Sequence, residues 1–298
     1  MVTEKERRPT PDDIPPQQLE YPASQADMTP QPDSDLSNYS PAGKLEGKVA
    51  FITGADSGIG RAVAMSSTSF AIAYAMEGAE VGIFYNENDG DAEKTKEMVK
   101  NIGNKDCLVI KGDVRNYEDC ESAVSQVVDR FGKLNILINN AAYQMVQKKF
   151  EDITLEQFRC TMETNVFGYF YMVKAALPYL EEGDVIINTG SIVGKMGKSF
   201  LIDYSTSKGA VHTFTKSLAL NLGDRGIRVN SVVPGPVWTP NIPATMTAKQ
   251  VDNYDSDGII KRTAQPEELA PAYVFLGSSD SSFVTGALYD VTGGQLAA

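Results

Sequence analysis

The chain has 298 residues, 42% of them hydrophobic, and a net charge of -12. That is apolar content for one large core or two modest ones, with no clustered Lys and Arg for nucleic acid or an anionic membrane to bind. No run approaches the roughly 20 apolar residues of a membrane span, and the polar N-terminus lacks a signal-peptide core, so a cytoplasmic protein is expected. Cys107, Cys120 and Cys160 are odd in number and far apart, which fits reduced packing thiols, and no His, Cys or carboxylate cluster has metal-ligand spacing.

In chain order, residues 1–44 come first, with eight of the fifteen prolines, many Asp, Gln and Ser, and no apolar periodicity. Such a segment buries too little to offset the entropy of ordering and reads as an extended arm. It is either a disordered tail or an arm docked on its own domain or on a neighbouring subunit. Residues 45–298 read as one domain. "KVAFIT", "AEVGIFY", "CLVIKGDV", "LNILINN", "DVIINTGS", "IRVNSVVPG" and "ALYDVTGG" are strand-like runs, several of them continuously apolar. Helical patterns at 61–77, 90–102, 117–131, 155–181, 204–223 and 266–277 alternate with them. The alternation predicts a single Rossmann-type, doubly wound parallel sheet of about seven strands with helices on both faces, preceded by the arm. Ligands of such a sheet sit at the carboxyl ends of the strands.

The loop after the first strand is "TGADSGIGRA". Gly54, Gly58 and Gly60 suit a tight turn in which backbone amides approach a pyrophosphate at a helix N-terminus. Further along stand "DV" at Asp113 and Val114, "NNAA" at 139–142, Asn165, Ser191, YxxxK at Tyr204 and Lys208, and "PG" at 234 and 235. In order and spacing these motifs resemble the short-chain dehydrogenase/reductase family over residues 45–298. Within it the chain is most similar to general-stress oxidoreductases and plant glucose and ribitol dehydrogenase homologues. The resemblance implies an NAD(P)-dependent enzyme acting on a small-molecule carbonyl or alcohol, and a homotetramer or dimer whose arm contacts a neighbouring subunit.

The chemistry accounts for the tyrosine and lysine. Reducing a carbonyl takes a hydride at carbon and a proton at oxygen, and the reverse takes a base for the alcohol proton. A nearby cation stabilises a phenolate, and positions i and i+4 share one helix face, so Tyr204 and Lys208 can serve one cleft. Ser191, thirteen residues earlier at a strand end, can hold the substrate oxygen beside the phenol. By resemblance Asn165 holds a water in a proton relay and Lys208 also contacts the nicotinamide ribose. The cofactor would further meet Thr53, Gly54, Asp56, Ser57, Gly58, Ile59, Gly60, Tyr85, Asp113, Val114, Asn140, Ala141, Ala142, Pro234, Gly235, Val237 and Thr239. Ala142 replaces the family's usual glycine. His212, the single histidine, reads as scaffold, against a Ser-His-Asp hydrolase.

Cofactor choice rests on Tyr85 and Asn86, where NAD enzymes carry an acid and NADP enzymes have an arginine near. No acid stands at Tyr85 and no arginine follows, while Glu87 and Asp89 would oppose a phosphate if they pointed inward. The reading is NADP or NAD with a weak lean to NADP. About seven residues more than the family's first-helix segment fall near "MSSTSFA", nearly two helical turns, so that helix either overhangs the sheet or bulges at its serines. Tyr143, Gln144, Met196, Phe200 and Trp238 are candidates to line the substrate cleft, and residues 236–258 to form a lid. Small aldehydes, ketones, sugars or polyols suit these residues. The alternatives are a 3-oxoacyl reductase and a nucleotide-binding regulatory or structural protein with little turnover.

Overall fold

The computed structural model describes residues 8–19, 25–33, 36–54, 64–87, 89–245, 248, 251 and 259–295. Seven strands make one parallel sheet: β1 (Val49–Thr53), β2 (Glu80–Tyr85), β3 (Cys107–Lys111), β4 (Ile136–Asn139), β5 (Val185–Thr189), β6 (Arg228–Pro234) and β7 (Leu288–Val291). Their order is β3-β2-β1-β4-β5-β6-β7. Each falls in a run that the sequence predicts as a strand. β1, β4 and β5 are buried at every position, as continuous apolar runs require of strands covered on both faces. The chain winds outward from β1 through β2 to β3 and then resumes at β4 on the other side of β1. That reversal opens a crevice at the carboxyl ends of β1 and β4.

The helices are α1 (Ala64–Met76), α2 (Asp89–Gly103), α3 (Tyr117–Phe131), α4 (Leu155–Met162), α5 (Gly168–Ala176), α6 (Val193–Met196), α7 (Ile202–Leu222), α8 (Asn241–Thr245) and α9 (Ala270–Gly277). One core joins α1 and α9 to the sheet, and a second joins α3, α5 and α7 to its opposite face. In the first, the Phe70 and Tyr273 rings stack with centroids 3.7 Å apart, and the Tyr74 hydroxyl donates to the Tyr273 carbonyl at 2.7 Å.

Three expectations change. The serine run does not interrupt its helix: α1 is continuous over Ala64–Met76, so the bulge is absent among the described residues. The long helix expected over 155–181 is divided. α4 passes through a π-helical turn, Glu163–Phe167, into α5, and a 3₁₀ turn, Leu177–Tyr179, follows, where Pro178 cannot continue the α-helical hydrogen bonds. α6 and α8 are short helices in segments where only loops are expected.

The arm's described residues dock on this chain's own domain, the second of the two alternatives its composition allows. Glu77, fully buried after α1, accepts from the Tyr39 hydroxyl and from the backbone amides of Ala42 and Lys44, the last two at 3.0 and 2.7 Å. Glu267, also buried, accepts from the Leu36 amide at 3.1 Å and pairs with Arg8. A buried acceptor surrounded by donors holds an irregular segment that has no regular backbone pairing of its own.

Glu77→Ala should therefore free the end of the arm and lower stability by about 1–3 kcal/mol, the cost of leaving such donors without their partner. Hydrogen exchange at the Ala42 and Lys44 amides should accelerate in that variant. Unchanged exchange there would mean that the carboxylate does not hold the arm.

Candidate active site

The loops that leave the carboxyl ends of the central strands carry most of the residues singled out above. Thr53 ends β1, and its hydroxyl accepts from the Asn140 and Ala141 amides at 3.0 and 3.2 Å, tying the β1 loop to the β4 loop. Gly54 has φ +71, and a Cβ there would lie 2.5 Å from the Ala141 Cα, so both the backbone conformation and the close approach demand glycine. Asp56, Ser57, Gly58, Ile59 and Gly60 lie outside the described residues. Asn140 accepts from the Thr189 hydroxyl at 3.0 Å, and Ala142 is fully buried beside Tyr204. Pro234 ends β6 beside Val291 of β7, and Gly235 follows, where a Cβ would meet the Thr292 carbonyl oxygen at 2.7 Å. Val237 bridges to Ala264, and Thr239 is buried.

The outer end of the edge is charged. Tyr85 ends β2 and donates to Asp89 at 2.8 Å, and Lys111, its register partner at the end of β3, donates to the same carboxylate oxygen at 2.8 Å. These contacts, Lys111 first, hold the Asp89 carboxyl below its ordinary value. Asp113 is engaged by the Arg115 guanidinium at 2.6 Å, and Val114 packs beneath Gly168.

At the centre, α7 carries Tyr204 and Lys208 one turn apart. Ser191 follows β5 and lies close enough to Tyr204 to act on its phenol. Burial raises the phenol's pKa above its ordinary value, and the Ser191 contact opposes that rise. Lys208 is fully buried, its Nζ 5.6 Å from the Tyr204 ring centroid. The amine donates to the Thr189 carbonyl at 2.7 Å and to the Tyr169 hydroxyl at 3.3 Å. Burial pushes its pKa down to about 7. In this state the phenol and the amine are each biased toward their neutral forms. The ion pair that a phenolate and an ammonium would make is thus disfavoured by burial.

Asn165 lies in the π-helical turn. Its side chain accepts from the Tyr143 amide at 2.6 Å and donates to the Tyr143 carbonyl and to the Ser207 hydroxyl, each at 2.9 Å. It meets α7 through Ser207, and its side-chain hydrogen bonds reach neither Tyr204 nor Lys208. His212 accepts from the Ser191 amide at 3.3 Å through Nε2, and burial lowers its pKa to about 4. A neutral ring in that role braces the Ser191 turn, which agrees with scaffold. Of the cleft candidates, Tyr143 and Gln144 are buried, Met196 is exposed and Trp238 is fully enclosed.

Beside Asn165, which the sequence singles out, sequence reasoning passes over three residues that build this site. Gln157, Thr161 and Tyr169 stand at four-residue steps from Asn165, all four are buried, and all reach α7. Gln157 and Thr161 donate to Asp203 at 2.9 and 2.7 Å, Asn165 meets Ser207 and Tyr169 meets Lys208. Polar residues recurring every fourth position along this segment are the signal that could have identified them. Lys111 escapes a search made only after β2, because the sheet register and not chain proximity brings it beside Tyr85.

Comparison with known proteins follows the same outline. The family model described as enoyl-(acyl carrier protein) reductase matches residues 54–295. General stress protein 39 of Bacillus subtilis (strain 168) is 45% identical over 286 residues, covering 96% of this chain and 97% of that protein. Glucose and ribitol dehydrogenase of Daucus carota is 42% identical over 289 residues, covering 95% and 97%. A short-chain dehydrogenase from Burkholderia cenocepacia J2315, solved in complex with NADP, superposes with a TM-score of 0.76 at 28% identity, covering 84% of this chain and 98% of that one.

Lys208 gives a pH signature. An amine whose pKa falls on folding to about 7 makes the unfolded chain the better proton binder from there up to the ordinary lysine value of about 10.4. Stability should therefore rise with pH through that window. Lys208→Met should lie above the wild type in stability at the acid end of the window by more than at its alkaline end, in denaturant titrations across it. A difference independent of pH would contradict the buried, neutralised amine.

Proposed function

The chain belongs to the short-chain dehydrogenase/reductase family and is an oxidoreductase, and from that premise we propose that it moves a hydride between NADP and a small aldehyde, ketone, sugar or polyol, with Tyr204 as general acid and base. The observation that carries this reading is the buried Lys208 amine 5.6 Å from the centroid of the buried Tyr204 ring, with Ser191 beside the phenol. A dinucleotide fits the donor set along the strand ends. Gly54 supports a close backbone turn at β1, Tyr85 and Lys111 offer a hydroxyl and an amine at the outer end, and Lys208, when protonated, has a third N–H beyond its Thr189 and Tyr169 partners for a ribose hydroxyl. NADP in the Burkholderia structure and the amine of Lys111 both favour the phosphorylated cofactor.

A bound nicotinamide supplies or accepts the hydride at the substrate carbon. Ser191 and Tyr204 both hydrogen-bond the substrate oxygen. In reduction the Tyr204 hydroxyl gives that oxygen its proton, and in oxidation the phenolate takes it back. The burial that keeps Tyr204 protonated readies it for the donor role that reduction needs. Lys208 stabilises the phenolate left behind, since an amine there gains a proton most easily when an anion forms beside it. Asn165 holds the π-helical turn against Ser207, and a water at that turn relays protons from Lys208 toward solvent.

We also infer a homo-oligomer, a tetramer or a dimer, because Leu155 and Phe170 expose 87% and 50% of their surface on α4 and α5. A cytoplasmic enzyme of stress metabolism is the setting that the similarity to general stress protein 39 favours. Among the described residues, no helix is long and apolar enough to cross a membrane.

Purified protein should oxidise NADPH with small aldehydes, ketones or sugars, and Tyr204→Phe should lose at least about 100-fold in kcat, the scale of general acid catalysis. Turnover only of acyl thioesters would favour the 3-oxoacyl reductase reading. Cofactor binding with no turnover would favour a regulatory or structural protein. Lys111→Ala should weaken NADPH binding about tenfold, the scale of one charge-assisted contact, and leave NADH binding nearly unchanged. Equal effects on the two would remove Lys111 from the phosphate site.

A further inference from the structure

The arm does more than cover the domain. Ile14 and Met28 are buried in one apolar cluster with Trp238, Ile242 and Val251, and Leu19, Val146 and Phe200 pack against it. Tyr204 lies in a second cluster with Ala142 and Leu201, and Val146 and Phe200 pack against that one too. Two side chains therefore have the arm on one side and the proposed acid on the other. Val146 follows the β4 loop and Phe200 precedes α7, and the Gln147 amide donates to the Phe200 carbonyl at 3.1 Å, joining them into one wall.

Polar contacts fix the arm against this wall. The Trp238 indole N–H donates to the Pro30 carbonyl at 2.9 Å, and the Leu19 amide donates to the Pro243 carbonyl in α8 at 2.9 Å. Gln17 closes the arm on itself, accepting from the Thr29 amide at 3.0 Å and donating to the Thr29 carbonyl. Trp238 and α8 fall in the segment expected to be a lid, and Trp238, fully enclosed, is held against the arm. A buried aromatic with its N–H satisfied makes a rigid joint, because the ring loses both packing and a hydrogen bond if it moves.

We propose that the N-terminal arm is a working part of the substrate site: Ile14, Leu19 and Met28 back the wall of Val146, Phe200 and Trp238, and so set how large a carbonyl compound can reach Tyr204. The proposal rests on the dehydrogenase reading for the identity of the substrate, and on the packing alone for the wall. It assigns positioning roles and no chemistry to the arm.

The test uses full-length protein carrying Ile14→Ala with Met28→Ala, and Met28→Ala alone should the pair fold poorly. Tyr39→Phe serves as the comparison, loosening the arm at Glu77, away from the wall. Trp238 is the only tryptophan, so intrinsic fluorescence reports directly on the joint. In the Ile14 and Met28 variants, emission should shift to the red and exchange at the Gln147 amide should accelerate. KM for the smallest carbonyl turned over should rise about tenfold with kcat little changed, the scale of a methylene-sized change in an apolar pocket, and bulkier carbonyls should gain relative to small ones. Tyr39→Phe should alter none of these. A red shift with unchanged Gln147 exchange and unchanged KM would overturn the proposal, leaving the arm a mere cover. Equal effects from Tyr39→Phe would also overturn it, by tracing them to general loosening. If the wild type turns over nothing, the dehydrogenase reading fails by itself, and Gln147 exchange alone decides whether the arm holds the wall.

Discussion

A lysine amine removed from water is tolerable only where its donors are met, and the centre of this molecule is organised around meeting them for Lys208. The Thr189 carbonyl comes from the end of β5 and the Tyr169 hydroxyl from α5, so sheet and helix both have to be in register before the amine is satisfied. Thr189 in turn reaches Asn140 on the β4 loop and Tyr273 on α9 through its hydroxyl, at 3.0 and 2.7 Å. The amine is thus coupled to both faces of the sheet. Because burial favours neutral forms of amine and phenol alike, a phenolate and an ammonium stand together in this site only when chemistry or a ligand demands it.

The rest of the architecture divides around that centre. Toward the β3 edge lie the glycine turn at Gly54 and the charged outer end with Tyr85, Lys111 and Asp89, features suited to a long, phosphate-bearing ligand. On the other side lie Val146, Phe200 and Trp238, an apolar wall closed from behind by the arm. Between the two, α7 is held in place by buried hydrogen bonds from α4, the π-helical turn and α5, which set Tyr204 and Lys208 by polar contacts more directional than apolar packing. Asp203, the residue before Tyr204, has both carboxylate oxygens occupied, one by the Tyr204 amide and the other by Gln157 and Thr161.

Much of this is legible in the chain itself, for identifiable reasons. Continuous β-branched runs such as "DVIINTGS" can satisfy burial on both faces only in a covered parallel sheet, so the fold follows from them. Ser191, Tyr204 and Lys208 stand out because phenol, amine and hydroxyl occur at spacings that a strand end and a helix face bring together. The π-helical turn at Asn165 leaves no such trace, since one extra residue in a helix turn changes no residue type and only slightly shifts the period. Lys111 is hidden because strand register is a long-range property. The arm's docking is ambiguous in the sequence because its anchors lie far along the chain: nothing local marks Glu77 or Glu267 as acceptors for the arm's donors, and Trp238 reads as a cleft residue until the Pro30 carbonyl is seen against it.

The central claim is that burial keeps the Tyr204 phenol protonated until chemistry calls on it. The most direct measurement is a tyrosinate absorbance titration of the cofactor-free wild type against Tyr204→Phe, with the difference spectrum assigned to this one residue. The account predicts no tyrosinate signal from Tyr204 at or below the ordinary tyrosine pKa of about 10. A difference signal appearing near neutral pH would contradict it, and would mean that Lys208 holds a resident phenolate as a ready-made base.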